Sequence, residues 1–353
     1  MNLALQQAKK NIGNTKMNPS VGCVIVKNNC VIGAGTTTVG GRPHAEINAI
    51  KNSKKNIKDS NLYVTLEPCS HYGKTPPCVK KIIKKKFKNV FLSVHDPDIR
   101  SFRKSLKTFK NNGIKTNVGI NSKEMRDFYR SYFISKKKKL PFVTLKLASS
   151  KDYKTINKNR TWITNIYSRS RVHLMRSNHD SIITSSNTII NDNPQLNCRI
   201  NGLESRSPVI IILDNNLRIS INSKIFKRNL RNKIIIFYNK GNIKKVNLLQ
   251  KNKVRVIKSS LNLNNNLDLS IVLLKIKKLG FSRVFVECGE ILATNFLNNN
   301  LVNDFKLFIS NEQFKKNGSG SIKKYFTTFL KNKKYNIEKV NLFGDKLISF
   351  KVK

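Results

Sequence analysis

The residues best suited to chemistry lie in two short blocks of the first half. His44-Ala45-Glu46 follows Gly40-Gly41-Arg42-Pro43, and two cysteines each follow a proline, in Glu67-Pro68-Cys69 and Pro76-Pro77-Cys78. One imidazole and two thiolates make a borderline-soft N/S donor set that suits Zn2+, and three protein ligands leave a fourth position for water. Water on such a metal falls from a pKa of 15.7 to about 7, which supplies a nucleophile at neutral pH. Glu46, two residues after the histidine, is placed to shuttle a proton from that water to a departing amine without binding the metal itself. A closed structural zinc site is the alternative for His44, Cys69 and Cys78. It calls for a fourth protein ligand, for which His71 is close in sequence; otherwise His71 lines the pocket or meets a phosphate. The other cysteines, Cys23, Cys30, Cys198 and Cys288, read as small buried hydrophobes.

The second half offers fewer groups. No G-x-G-x-x-G follows a strand, so a Rossmann fingerprint is absent. Glu287-Cys288-Gly289-Glu290 sits where a buried strand gives way to a helix, which makes it either an anion site on helix N–H groups or an ordinary strand-to-helix turn.

Alternating strands and helices must position these groups. In the first half the patterns predict helices at Leu3–Ile12, Ala45–Asn52, Cys78–Lys85, Phe102–Asn112 and Ser122–Ser135, with strands at Gly22–Lys27, Val31–Thr37, Leu62–Thr65 and Val90–Val94. Asn28-Asn29 reads as the turn between the first two strands, and Gly113 as a helix end. The second half restarts with strand Phe142–Leu147. Helix Ile166–Ser177 and strands Ser181–Thr184, Val209–Leu213 and Ile234–Tyr238 follow. Helix Leu269–Leu279, strand Val284–Cys288, helix Ile291–Asn298 and strands Phe305–Ile309 and Leu347–Lys351 complete it. This alternation argues for an α/β sheet in each half. The lysine run Lys136–Lys139 before Pro141 marks the boundary, read as a solvated helix end.

A length of 353 residues suits two domains, here 1–140 and 141–353, and 39% hydrophobic with 25% charged residues suits globular folding. Lys+Arg 68 against Asp+Glu 19 gives +49. A charge of that size suggests nucleic acid or an anionic membrane, but a basic binder concentrates charge in a patch or tail. Here lysine is spread along the whole chain with abundant Asn and Ile, as compositional bias produces. No run reaches the ~18 apolar residues of a membrane span, and Met1–Asn14 lacks the apolar block of a signal peptide. The six cysteines do not make a disulfide scaffold, so the expectation is a cytoplasmic protein with reduced thiols.

H-x-E followed by P-C is the signature of zinc deaminases acting on nucleobases, but the two cysteines here are separated by eight residues rather than two. The block Thr65-Leu66-Glu67-Pro68-Cys69-Ser70-His71-Tyr72-Gly73-Lys74-Thr75-Pro76-Pro77-Cys78 closely resembles the TLEPCSHxGxTPPC of the deaminase/reductase family of riboflavin biosynthesis. Asn18-Pro19-Ser20-Val21-Gly22 and Pro43-His44-Ala45-Glu46 are similar to its N-P-x-V-G and P-H-A-E. The resemblance continues through Leu145–Ser150, Trp162-Ile163-Thr164, the segment Asp180–Arg199 and Val286-Glu287-Cys288-Gly289. It implies a cytidine-deaminase-like three-layer α/β/α domain followed by a dihydrofolate-reductase-like α/β domain. It also implies Zn2+ on His44, Cys69 and Cys78, and NADPH in the second domain. Carried over position by position, Ala148, Trp162, Thr188, Asp192, Asn215 and Gly289 would touch NADPH, and Arg176, Leu196, Arg199 and Glu287 would hold substrate. The arginines suit a ribose phosphate, whose oxygens match a guanidinium fork. Without the family pattern, Trp162 would read as core and Arg176 as a solvated helix face. The implied reactions are deamination of a phosphorylated diaminopyrimidine and reduction of its ribosyl group to ribityl, on small molecules rather than nucleic acid, in a homodimer.

The chain departs from this pattern in places. The family's S-L-D-G reads Ser150-Lys151-Asp152-Tyr153, a serine before the tryptophan reads Arg160, and the second aspartate of D-D-P is Asn193. In the first domain the D-P-N-P…G-x-G loop reads Asp96-Pro97-Asp98-Ile99 and has lost its glycines. These changes bear on substrate geometry, and on the reductase more than the deaminase. A nucleoside or tRNA deaminase with an unrelated appendage is the rival enzyme; the cysteine spacing and the second half speak against it. A basic RNA-binding protein would need clustered Arg/Lys with interleaved aromatics, which are not evident.

Overall fold

A computed structural model describes residues 1–159, 162–227 and 233–353, with 326 and 327 described by backbone alone. Arg160, one of the departures above, lies outside the described residues. The chain divides into two compact units, Met1–Leu140 and Pro141–Lys353.

The first unit runs α1 (Asn2–Lys9), β1 (Gly22–Lys27), β2 (Cys30–Thr36), α2 (Ala45–Asn52), β3 (Asn61–Leu66), α3 (Cys78–Lys84), β4 (Asn89–Val94), α4 (Lys104–Asn111), β5 (Lys115–Val118) and α5 (Ser122–Lys138). Its sheet has the order β2-β1-β3-β4-β5. β1 is antiparallel to both β2 and β3, whereas β3, β4 and β5 are parallel. Asn28 and Asn29 join β1 to β2 with φ of 48° and 59°, the left-handed pair that a tight primed hairpin turn needs.

Two glycines place helices on opposite faces of this sheet. A Cβ on Gly22 would stand 1.8 Å from the Ala4 carbonyl oxygen of α1, and one on Gly35 would stand 2.3 Å from the Ala49 nitrogen of α2. Gly22 pairs with Thr36 and Gly35 with Cys23, so the two glycines point to opposite sides. α5 shares the α1 face through Tyr129, whose hydroxyl meets Thr65 Oγ1 at 2.6 Å and Ser20 O at 3.1 Å. The core between the layers includes Leu5, Ile25, Ala49, Leu62, Val64, Ile82, Leu92 and Tyr129. Helix α5 extends through Lys138, so the lysine run is its last turn, where cations face the negative end of the helix dipole. Cys30 departs from its expected burial: it is exposed at the start of β2. Cys23 and Cys198 are buried and Cys288 is half-buried.

The second unit runs β6 (Phe142–Ser149), β7 (Ile156–Asn157), α6 (Ile166–Ser177), β8 (Ser181–Ser185), α7 (Ser186–Asp192), β9 (Val209–Leu213), α8 (Lys224–Lys227), β10 (Ile234–Tyr238), α9 (Ile243–Lys251) and β11 (Arg255–Lys258). It continues with α10 (Leu269–Lys278), β12 (Arg283–Glu287), α11 (Glu290–Asn298), β13 (Asp304–Ile309), β14 (Gly318–Ser319), α12 (Lys323–Thr328), β15 (Tyr335–Ile337) and β16 (Lys346–Lys351). Nine strands form one sheet in the order β11-β10-β9-β8-β12-β6-β13-β16-β15. From β11 to β13 every neighbour is parallel, and β16 then pairs antiparallel with β13 and β15. Strands buried on both faces read as unbroken apolar runs, as in Val209-Ile-Ile-Ile-Leu213 and Ile234-Ile-Ile-Phe-Tyr238. The carboxyl ends of the parallel strands form one edge, the place where open α/β sheets collect their functional groups.

Two departures from the family pattern take left-handed backbone here. Tyr153 has φ 65° in the tight turn after β6, where the family carries glycine, and Asp152 secures that turn by accepting from Phe314 N and Lys315 N at 3.0 Å each. Asn193 has φ 42°, a conformation that asparagine tolerates, and its Oδ1 accepts from Lys224 N at 2.8 Å, a bond to the start of α8, 31 residues on.

Candidate active sites

The first site is built on two helix N-termini. His44 precedes the first turn of α2 in extended conformation, and Cys78 opens α3 behind Pro77. Close packing of Ala45 and Ala49 on the glycines of β2 fixes how far α2 stands off the sheet. Cys69 follows β3 by three residues. His44 Nδ1 lies 3.5 Å from Cys69 Sγ and 3.4 Å from Cys78 Sγ, and all three donor atoms lie within 4.8 Å of one another. The backbone N–H of Cys78 donates to Cys69 Sγ at 3.3 Å, as helix N-termini do for thiolates. A hydrogen bond from Cys78 holds the Cys69 thiol down to about 4, and the same bond pushes Cys78 up. His44 is raised, chiefly by its bond to Cys69. The trio sits at tetrahedral-ligand spacing with N and S donors, a set that fits zinc.

Glu46 projects from the first turn of α2 and is 3% exposed. Burial pushes its carboxyl up to about 7, against the pull of His44. His71, the possible fourth ligand, is not in the cluster; its Nδ1 meets Ser101 Oγ at 2.9 Å.

Glu67 escaped the sequence reading. Its side chain is fully buried and accepts from His95 Nδ1 at 2.9 Å, Arg103 N at 3.1 Å, Ser105 N at 3.3 Å and Ser105 Oγ at 2.6 Å. It therefore ties the segment between β4 and α4 to the end of the strand that leads to Cys69. That segment holds its shape without the family's glycines through Asp98, whose carboxylate pairs with Arg100 at 2.6 Å and Lys136 at 3.0 Å, and through Tyr132, which donates to Asp96 Oδ1 at 3.0 Å. One residue, Arg103, still takes a left-handed φ of 55°.

In the second unit, residues far apart in sequence meet at the carboxyl edge of the sheet. Arg176 from α6 forks onto Glu287 at the end of β12, with Nε–Oε2 3.0 Å and Nη2–Oε1 2.8 Å, and its Nη1 donates to Asn197 O at 2.9 Å. The fork expected to face a ribose phosphate is thus filled by a carboxylate. Arg176 is 8% exposed, so it is not a solvated helix face. Lys146, paired with Glu287 across β6 and β12, brings its Nζ to 4.0 Å from Oε1; burial lowers it. Desolvation pushes Glu287 up, but Arg176 and Lys146 outweigh it and hold the carboxyl at about 2. Leu196 is 2% exposed with a left-handed φ of 50°, a strained conformation for a branched side chain. Arg199 is exposed, with Nη1 3.0 Å from Asn197 Oδ1. His173, which the sequence reading missed, meets Asn197 O at 3.0 Å, and burial with Arg176 and Arg199 nearby lowers it to about 4. Arg176, Leu196, Arg199 and Glu287 are therefore joined through Asn197 and α6.

Of the residues assigned to NADPH, Ala148 lies near the end of β6, Thr188 and Asp192 in α7, Asn215 just past β9, and Gly289 caps α11. A Cβ on Gly289 would meet nothing within 4 Å among the described residues, so there is open space beside the N-cap of α11. Ser149 Oγ, Thr184 Oγ1 and Asn215 Oδ1 are buried and hydrogen-bond nothing among the described residues. They mark the ends of β6, β8 and β9, and such orphaned polar atoms fit a polar ligand laid across the strand ends. Trp162 is not core: it is 60% exposed, with the Arg169 guanidinium 4.8 Å from its ring.

Comparison with known proteins bears on both units. Residues 1–94 match the family described as the cytidine and deoxycytidylate deaminase zinc-binding region, and residues 141–311 match the RibD C-terminal domain. The riboflavin biosynthesis protein RibD of Aquifex aeolicus is 35% identical over 88% of this chain and 85% of that protein. RibD of Buchnera aphidicola is 33% identical over 88% of this chain and 86% of its own. The fold is similar to that of Acinetobacter baumannii RibD, with TM-score 0.86 and 26% identity over 100% of this chain and 97% of that one. It is also similar to a diaminohydroxyphosphoribosylaminopyrimidine deaminase/5-amino-6-(5-phosphoribosylamino)uracil reductase of Thermotoga maritima, with TM-score 0.84 and 29% identity at the same coverage. No helix among the described residues is long and apolar enough to cross a membrane. With a zinc-binding deaminase region followed by a reductase region, and relatives matched along most of its length, the chain belongs to the RibD family of riboflavin biosynthesis proteins.

Proposed function

We propose that this chain carries out both RibD reactions on small molecules. It hydrolytically deaminates 2,5-diamino-6-ribosylamino-4(3H)-pyrimidinone 5′-phosphate and reduces the ribosyl group of 5-amino-6-(5-phosphoribosylamino)uracil to ribityl. The observation that carries the first reaction is the His44, Cys69 and Cys78 cluster with the buried Glu46 carboxylate two residues from His44. These three residues hold zinc, which when bound supplies Lewis-acid activation of water. Glu46 takes the proton of the attacking water on its carboxylate and hands it to the departing ammonia, and its burial keeps bulk water from competing.

In the second unit NADPH supplies the reducing electrons. Thr188, Asp192, Asn215, Gly289, Ala148 and Trp162 orient it, and the orphaned Ser149, Thr184 and Asn215 oxygens favour that placement. Arg176 holds Glu287 ionised and fixed at the edge where substrate enters, with Leu196 and Arg199 on the adjoining segment. Hydride transfer needs orientation and a dry pocket more than a dedicated base. A homodimer working in the cytoplasm completes this reading.

The test is zinc content and ammonia release from the diaminopyrimidine phosphate, wild type against Glu46→Ala. The variant should keep zinc and lose about 10²- to 10⁴-fold in kcat; wild-type turnover in the zinc-loaded variant would refute the proton shuttle. NADPH oxidation should require the deaminated product, and oxidation with neither pyrimidine nor product dependence would refute the reductase assignment.

A further inference from the structure

A carboxylate of the chain itself stands at the N-terminus of α11. Gly289 caps the helix without a side chain, and the first-turn N–H groups of Glu290, Ile291 and Leu292 have no acceptor among the described residues. Glu290, the first helical residue, turns its carboxylate sideways. Its Oε2 accepts from Ser321 N at 3.2 Å, and its Oε1 pairs with Lys324 Nζ at 2.9 Å. Next to this pair the Tyr325 hydroxyl donates to Glu290 O at 3.0 Å and meets Thr294 Oγ1 at 2.7 Å. Tyr325 is fully buried, so that contact is fixed packing, whereas the Glu290 and Lys324 side chains are 24% and 54% exposed. A pair with that exposure is weak and therefore exchangeable.

What Glu290 holds is a strap over the strand ends. β14 follows β13 and pairs with β7, which follows β6, and β6 and β13 are neighbours in the sheet. Gly320 then carries the strap between Thr155 and Glu290. A Cβ there would stand 2.2 Å from Thr155 Oγ1 and 3.0 Å from Glu290 Oε2, and its φ is 67°. The ground beside this strap asks for a ligand. α11 crosses from β12 to β13 and α6 from β6 to β8, in opposite directions along the sheet, so right-handed crossovers set the two helices on opposite faces. Ala148 packs with the core on the α6 face, so its neighbour Ser149 points to the face of α11. Ser149 is fully buried there, and its Oγ has no partner among the described residues. An orphaned hydroxyl, unfilled helix N–H groups and the open space beside Gly289 together suit an anionic, acceptor-rich ligand such as the diphosphate of a dinucleotide. The charge of Glu290 opposes that same ligand.

We propose that the Glu290–Lys324 pair is an autoinhibitory latch on the dinucleotide site: binding moves Lys324 from Glu290 to the diphosphate and frees the strap formed by residues 318–324. The proposal rests on the reductase reading above. Glu290 takes no part in hydride transfer. It sets how tightly the cofactor is held, because the diphosphate must displace a carboxylate from the cation that both need.

NADPH binding to the intact protein, followed by cofactor fluorescence, is compared among wild type, Glu290→Gln and Lys324→Met. Amide exchange of residues 318–324 is read in the same samples with and without NADPH. Glu290→Gln is expected to bind NADPH about 2- to 5-fold more tightly and Lys324→Met about 2- to 5-fold more weakly, the size of effect that one charge has near a helix terminus. Both differences should shrink as salt is raised. Exchange in the strap should quicken in cofactor-free Glu290→Gln, and in wild type when NADPH is added. Equal or weaker binding by Glu290→Gln, undiminished binding by Lys324→Met, or a strap that exchanges no faster with NADPH bound would each overturn the latch while leaving the reductase reading intact. If neither wild type nor variant binds NADPH, the reductase reading fails and the latch falls with it.

Discussion

Replacing Arg176 by methionine isolates what the buried ion pair at the reductase edge contributes. The Arg176 side chain is 10% exposed and that of Glu287 18%, and the two share a bidentate contact. Arg176→Met removes both fork bonds and the bond to Asn197 O, and leaves the carboxylate with Lys146 Nζ at 4.0 Å as the nearest cation. Breaking one side of a buried pair costs roughly 3–5 kcal/mol. Lys146 offsets part of this, so the lower end, about 3 kcal/mol, is expected; for a unit of 150–250 residues that lowers Tm by about 6–12 °C. Scanning calorimetry on the whole protein reads it as a shift in one transition, since the change lies within one compact unit. Adding Glu287→Gln removes the stranded charge, so the double variant should be no less stable than Arg176→Met alone, a coupling of about 1.5 kcal/mol or more. The acid limb gives an independent reading. Glu287 is held at about 2 against an ordinary 4.5, so its contribution is complete above pH 4.5 and lost as pH falls toward 2. Arg176→Met should flatten that loss. A shift under about 2 °C, or strict additivity of the two substitutions, would refute the pair as a buried, mutually dependent unit.

Other outcomes follow from the same geometry. Cys78→Ser removes a donor from the His44 cluster and should abolish zinc binding and ammonia release, while NADPH oxidation with the deaminated product persists; metal analysis alongside both assays checks it. Burial lowers His179 to about 3 and His173 to about 4, so both are neutral in the folded unit while the unfolded chain takes up protons near 6.5. Stability is therefore full above pH 6.5 and declines as pH falls toward 4, and a Tm flat from pH 6.5 to 4.5 would contradict it. Lys139 ends α5 with a left-handed φ of 54° and an exposed side chain, so Lys139→Gly should stabilise by roughly 0.5–1 kcal/mol, read by denaturant titration.

What sequence made legible follows the distance over which each feature is encoded. His44, Glu46, Cys69 and Cys78 fall in two short blocks at helix N-termini, where residue type, proline and spacing all act locally, and the structure gathers the three donors as one cluster. Buried central strands were equally clear, because Val209–Leu213 and Ile234–Tyr238 are apolar on both faces. The strands of the two main sheets that escaped are β5, β11 and β15, every one an edge strand: Lys-Thr-Asn-Val, Arg-Val-Ile-Lys and Tyr-Asn-Ile carry little apolar signal because one side faces no neighbouring strand. The second site was named through family resemblance, but its electrostatics were not, since Arg176 and Glu287 lie 111 residues apart and only the parallel register of β12 with β6 puts Lys146 beside them. The resemblance assigned Arg176 and Glu287 separately to substrate; folding makes each the other's partner. The Arg176 fork closes on the Glu287 carboxylate, and its third nitrogen on Asn197 O, so the pair presents itself to the strand ends as one unit. Basic residues are abundant enough in this chain that charge alone singles out none of them; Arg176 stands apart only once folding has buried it and given its three nitrogens Glu287 and Asn197 as partners.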